Sequence, residues 1–169
     1  MNENSLFFSN ETHDHLGHAI YLNDKPSDFK TKTVSVSRQP KASLSLLTLK
    51  NFITVNNNFQ DLSIAFVYVL PNSTGKIYEE SLDFIFSNAC QNLIILGDFN
   101  KNPNDLTKKI QGEFKKRNMS QLIKEPSHLL GNILDHIYCN LDQSLIASSG
   151  ILSNLTKSDH YPIYLSLRN

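Results

Sequence analysis

The chain has 169 residues, 40% of them apolar and 19% charged, with Lys+Arg and Asp+Glu balanced at 16 each. That length allows one domain with a real core and excludes two comfortable ones, and the composition excludes a disordered chain. A formal net charge of zero excludes broad, non-specific polyanion binding and leaves room only for local basic patches.

Residues 1–16 are polar and expected to be flexible, with the folded domain running over 17–169. His13, Asp14, His15 and His18 cluster there, but their spacing fits no standard metal site. The start MNENSLFF lacks the basic and apolar regions of a signal peptide. GHAIYL (17–22) is the first expected strand, and residues 23–27 read as a turn. TVSVS (33–37) and SLSLLTL (43–49) alternate as half-buried strands do. After a turn at 56–58, LSIAFVYVL (62–70) is β-branched and aromatic, and is expected as a central strand. The apolar run within it, 64–70, is the longest in the chain and far too short to span a bilayer. The expected setting is therefore intracellular, the nucleus included, with no membrane contact.

From Ile77 the period changes. Tyr78, Leu82, Ile85, Phe86 and Ala89 fall on one helical face. Glu79, Glu80 and Asp83 lie outside it, in or near a first turn where the helix dipole favours acids. LIIL (93–96) is a continuous apolar run of the kind buried on both faces of a sheet. Strand, helix and strand in succession predict a crossover βαβ unit with a parallel pair. Leu106, Ile110 and Phe114 recur every fourth residue and predict a second, short helix. Its surroundings, 101–117, are basic, which suits either a phosphate-facing patch or a solvated helix face. SQLIK (120–124), ILDHIYC (133–139) and residues 163–167 are further expected strands. Cys90 and Cys139 form no CxxC pair and are expected as buried thiols. About eight strands and two helices make an α/β layered sandwich.

Three short motifs place polar groups at the ends of these apolar strands: GDFN (97–100), LDHI (134–137) and SDH (158–160). In GDFN the glycine permits a sharp turn, and Asp98 and Asn100, two residues apart, point to one side of an extended chain. The same residues also suit a simple Asx turn. Carboxylates, an amide, an imidazole and the phenol of Tyr68 are the groups that metal-assisted phosphodiester hydrolysis requires. A phosphate already carries negative charge, so a cation must offset it, a base must orient water, and donors must hold the phosphoryl oxygens.

With IAFVYVLPN, LIILGDFN, GNILDHIY and SDHYPI in this order, the chain resembles the endonuclease/exonuclease/phosphatase superfamily, which has the DNase I-like fold. EPSHLLGNILDHIY and GHAIYL resemble in particular the endonucleases of non-LTR retrotransposons. The resemblance implies that Asp98 positions or activates water and that Asn100 orients it and the phosphate. It implies that His160 donates to the scissile phosphate, that Asp135 holds the His160 imidazole, and that Asp159 lies in the metal site. Tyr68 and Asn72 are implied as phosphate contacts, one residue further apart here than the family's YxPN. Mg²⁺ or Mn²⁺ is the implied cofactor, and double-stranded DNA the implied partner. His128 and His136 carry no implied role, and Ser127 stands where Thr is usual.

The family's first strand, carrying an Asn, and its second, ending in a metal-binding Glu, are not found ahead of GHAIYL. Glu11, in NET, resembles the family's E-T-W but sits close to Gly17. The expectation is an N-terminally truncated domain, a fragment of a longer product or a decayed copy. Three functions follow from this reading: a mobile-element DNA endonuclease, an inactive nucleic-acid-binding remnant, or a phosphodiesterase acting on a phospholipid.

Overall fold

The structure is a computed structural model; it describes the backbone of residues 5–9, 19–22 and 29–36, and residues 42–55, 57–153 and 157–168 in full. The turn expected at 23–27, the His13–Asp14–His15–His18 group and Glu11 lie outside the described residues. Two short strands, β1 (Ser5–Ser9) and β2 (Ala19–Leu22), pair antiparallel with each other. The sequence pattern signals β2 and gives no sign of β1.

The main sheet begins with β3 (Phe29–Val36), β4 (Ala42–Val55) and β5 (Asn58–Val69), an antiparallel meander. A register shift between Leu49 and Ile53 extends β4 well past the expected SLSLLTL, and the Lys50–Asp61 ion pair sits beside it. Helix α1 (Gly75–Asn88) then returns the chain so that β6 (Asn92–Asp98) lies parallel to β5, which is the βαβ unit the periodicity predicts. Its first turn carries no acid; the helix starts two residues ahead of Ile77, so Glu79 and Glu80 fall in the second turn. Helix α2 (Lys108–Lys116) is capped by Thr107, whose hydroxyl accepts the Ile110 N–H. Strands β7 (Ser120–Gln121) and β8 (Asp135–Cys139) complete a six-stranded sheet in the order β3-β4-β5-β6-β8-β7. A second sheet pairs β9 (Ile146–Ile151) with β10 (Ile163–Leu167). Sequence reading gives no strand at β9, where Ala147, Ser148, Ser149 and Gly150 dilute the apolar signal.

Alternation along the strands sorts the core into two faces. Ala65, Val67 and Val69 of β5, with Leu93 and Ile95 of β6, pack against Tyr78, Leu82 and Ile85 of α1 and Ile110 and Phe114 of α2. Leu62, Ile94, Ile137 and Cys139 face the other way, toward Ile146, Ile163 and Leu165 of the second sheet. Fully burying each Leu or Ile stabilises the fold by roughly 1.5–3 kcal/mol. β6 is buried on both faces because it lies between two layers, and this explains the unbroken LIIL run. The second layer is narrow. No strand pairs with the far edge of β10 among the described residues, and a cavity of about 850 Å³ opens between Leu165, Leu167, Ile53 and the Leu62–Ile64 face. Cys90 is half-buried and Cys139 buried, both free thiols. Among the described residues, no helix is long and apolar enough to cross a membrane.

Candidate functional site

Two neighbouring strands of the main sheet end together in polar residues. β6 and β8 run antiparallel with Asp98 opposite Asp135, so two carboxylates meet at one end of the sheet. Gly97 makes this possible. Its φ is +141°, and a Cβ there would lie 1.9 Å from the Val67 carbonyl of β5, so only glycine allows the strands this approach. Past the strand the chain turns through Asn100, at φ 50°. The Asn100 backbone N–H donates to Asp98 Oδ1 at 2.8 Å, and its Nδ2 donates to Asp98 Oδ2 at 2.9 Å and to the Val69 carbonyl at 2.9 Å. One amide therefore orients the Asp98 carboxylate and ties it to the end of β5. Tyr68 lies beside Asp98 on the parallel strand, and burial together with the Asp98 charge raises its pKa.

His160 reaches this cluster from the other sheet's leading loop. Its Nδ1 lies 2.8 Å from Asp135 Oδ2. A carboxylate only accepts, so Nδ1 carries the proton and donates, and Nε2 takes no part in this contact. Burial works against the His160 charge, but the Asp135 hydrogen bond and charge outweigh it, aided by Asp98 and Asp159, and the pKa is raised. Asp98 moves the same way for a different reason. Burial pushes its carboxyl up to about 6, and the Asp135 charge adds to this against the Asn100 hydrogen bonds and His160. The structure thus brings Asp98, Asn100, Asp135, His160 and Tyr68 into one place.

Asp159 and Asn72 are placed differently. Asp159 is exposed and faces His128, whose Nε2 is 3.3 Å from Asp159 Oδ2. Hydrogen bonding from its own backbone, with help from His128 and His160, lowers its pKa. Asn72 sits exposed in the turn after β5, at φ 62°. His128, left out of the site by sequence reading, packs edge-on to His160 with ring centroids 4.9 Å apart. The Leu130 N–H donates to His128 Nδ1 at 3.1 Å, so Nε2 carries the proton that faces Asp159. The signal for His128 is its place in the EPSH run, seven residues ahead of Asp135. His136 is in the core, wholly buried and stacked on Phe99 at 4.6 Å. Tyr78, read from periodicity as a core residue, also braces the loop after Asp98, donating its hydroxyl to the Phe99 carbonyl at 2.6 Å.

Among the described residues, two groups of side chains have the donors for a cation. Asp98, Asp135 and His160 offer ligand atoms all within 4.8 Å of one another, and so do His128, Asp159 and His160. Paired carboxylate oxygens, one of them holding its charge against burial, fit a hard divalent ion such as Mg²⁺ or Mn²⁺. The second group fits less well. Ligation through His128 Nε2 would displace the proton that the Leu130 contact places there.

Solved structures share this architecture. The CdtB subunit of cytolethal distending toxin, its biologically active subunit, superposes with a TM-score of 0.54 at 22% identity, over 90% of this chain and 61% of that one. An endonuclease/exonuclease/phosphatase family protein from Bacteroides thetaiotaomicron gives 0.54 at 12% identity, over 89% and 67%. The human Nocturnin catalytic domain, with a bound sulfate anion, gives 0.50 at 16% identity, over 84% and 60%. The chain has the DNase I-like fold. It spans less than two thirds of the CdtB chain's length. No family model matches the sequence, and no curated protein matches it.

Proposed function

We propose that the chain is a metal-dependent phosphodiesterase domain, and that its substrate is double-stranded DNA cut internally, as by the endonuclease of a mobile element. The observation that carries this reading is the Asp98–Asn100–Asp135–His160 constellation, in which three separate segments converge on one strand end.

The residues divide the work. Asp98, with a carboxyl held near 6 by burial, is ionised at neutral pH and basic enough to accept a proton from an attacking water. Asn100 fixes its orientation. His160, locked through Nδ1 by Asp135, presents Nε2 to a phosphoryl oxygen. Its raised pKa favours the imidazolium, which donates to that oxygen as negative charge builds. Asp135 sets the tautomer of His160 and stabilises the cationic ring. Tyr68, paired with Asp98 on β5, would contact the phosphate. Asp98 and Asp135 are the oxygen donors that would hold Mg²⁺ or Mn²⁺; Asp159, engaged with His128, lies in the adjacent group. When bound, the ion supplies positive charge against the phosphate.

The non-catalytic reading, a nucleic-acid-binding remnant, depends on the basic stretch at 101–117. Acids engage much of that stretch: Lys109 pairs with Glu79 at 2.7 Å, and Lys116 and Arg117 pair with Glu113 at 2.7 and 2.5 Å. Lys101 and Arg117 also lie over the Tyr78 and Phe86 rings. This favours a solvated face over a phosphate track.

The test is nicking of supercoiled plasmid with Mg²⁺, comparing wild type with His160→Ala. The expected outcome is Mg²⁺-dependent nicking that falls by about 10²-fold or more in the variant. Equal rates in the two proteins would remove the assignment. Salt-sensitive DNA binding without cleavage would favour the remnant.

A further inference from the structure

We propose that Ser127 is a positioning residue of this site, whose single buried hydroxyl sets the Asp135 carboxylate against His160. The catalytic consequence rests on the phosphodiesterase reading above; the geometric claim does not.

Ser127 is wholly buried, at 0% exposure. Its Oγ accepts two backbone hydrogen bonds, from Leu134 N–H at 3.0 Å and from Asp135 N–H at 2.9 Å. Its own N–H donates to the Asn132 carbonyl at 3.0 Å, and its carbonyl accepts the Tyr161 N–H at 2.7 Å. One residue is therefore bonded both to the start of β8, where Asp135 leaves the sheet, and to the chain just after His160. The neighbours reinforce the link. His128 and His160 form an isolated antiparallel bridge, and the Leu129 N–H donates to the Asp159 carbonyl at 2.9 Å.

The Asp135–His160 pair joins residues 25 apart in sequence, and Ser127 holds the Asp135 backbone through its hydroxyl and Tyr161, the residue after His160, through its carbonyl. Replacing the hydroxyl with an apolar group strands two N–H donors in an apolar setting. An unpaired buried donor costs about 1–3 kcal/mol, so the first residues of β8 would shift to find other acceptors. Asp135 is one of those residues, and its carboxylate would move with them. Misplacement by about 1 Å is enough to cost about 10²-fold in rate. The requirement is for an oxygen acceptor on a short, β-positioned arm. Serine and threonine supply it, and valine, which matches threonine in shape, does not.

The test compares Ser127→Thr with Ser127→Val, which differ by one hydroxyl. Each is checked for folding by circular dichroism and melting, then assayed for plasmid nicking with Mg²⁺. Each is also examined without metal for the low-field His160 Nδ1–H proton signal. Ser127→Thr is expected to keep wild-type kcat and the Nδ1–H signal. Ser127→Val is expected to fold, to lose kcat by about 10²-fold with KM little changed, and to lose or shift the signal. A folded Ser127→Val protein with wild-type kcat and an unchanged signal overturns the proposal. If Ser127→Val does not fold, hydrogen exchange on the wild type decides. Slow exchange of the Leu134 and Asp135 amides supports the proposal, and fast exchange overturns it. If even the wild type fails to nick, the phosphodiesterase reading falls. The Nδ1–H comparison then still decides whether Ser127 holds the pair.

Discussion

The two ends of β6 are both rich in hydrogen-bonded polar residues, and only one of them is equipped for chemistry. At the start of the strand, Asn92 Nδ2 donates to the Gln60 side chain at 2.8 Å and to the Asp61 carbonyl at 3.1 Å. There the Leu93 N–H donates to Asn140 Oδ1 at 2.8 Å, and Asn140 Nδ2 donates to the Gln91 carbonyl at 2.8 Å. These neutral amides close off backbone groups where strands begin, and the cavity beside them, about 410 Å³, is lined by Gln91, Asn92, Arg117 and Asn140. At the far end the donors and acceptors are titratable. Asp98 is held up near 6 against burial and a second carboxylate, and His160 is drawn upward by Asp135. Polar density by itself marks the end of a strand. Charge maintained against burial, with an imidazole fixed beside it, is what the proposed hydrolysis requires and what the neutral end lacks.

The largest expected effect is on the strand that both ends share. Gly97→Ala puts a Cβ 1.9 Å from the Val67 carbonyl at a φ of +141°, a clash and a strained backbone at once. It should cost roughly 4 kcal/mol or more and leave no cooperative melting transition. A variant that melts like wild type would mean that β5 and β6 do not approach as described.

Next comes the reactive end alone. Asp98→Asn keeps the shape and one of the two hydrogen bonds accepted from Asn100, and removes the proton acceptor. Nicking should fall by about 10²-fold or more, while the melting temperature holds or rises at neutral pH, because the charge that burial opposes is gone. A drop in melting temperature as deep as that of a core deletion would make Asp98 a structural residue, like Asn92.

His136 gives a pH-dependent effect just behind the site. Burial pushes its pKa down from the usual 6.5 to about 4, the Ile133 carbonyl opposing. The folded protein therefore favours the neutral ring. That contribution is fully present above pH 6.5 and is lost as pH falls from there toward 4. It amounts to roughly 3 kcal/mol by linkage. Denaturant melts from pH 7 to pH 4 should show the decline, and His136→Leu should flatten it. An unchanged slope in the variant would assign acid sensitivity elsewhere.

The smallest effect belongs to the neutral end. Asn140→Ala leaves the Leu93 N–H without its acceptor and should cost about 1–2 kcal/mol of stability. Nicking by the protein that remains folded should be unchanged. A loss of rate at constant stability would erase the distinction between the two ends.

Much of this was readable from the sequence. The β5–α1–β6 unit declares itself because a continuous apolar run, a helical period and another apolar run are local signals of two-faced burial. Gly97, Asp98 and Asn100 could be singled out because they interrupt such a run. β9 could not be, because Ala147 to Gly150 look like a loop until β10 pairs with them. β1 was missed for want of alternation. Ser127 and His128 are marked in sequence only as part of the EPSHLLGNILDHIY motif, which assigns them no role; their roles come from hydrogen bonds to Asp135, Tyr161 and Asp159.

The amino-acid order alone determined which residues had to be buried and which strand ends would carry acids, an amide and an imidazole, since periodicity and turn chemistry act over a few neighbouring positions. Only the tertiary structure decided that Asp98, Asp135 and His160 share one strand end while Asp159 turns toward His128. Those distances follow from sheet register and from backbone hydrogen bonds between segments, which periodicity along one stretch does not encode.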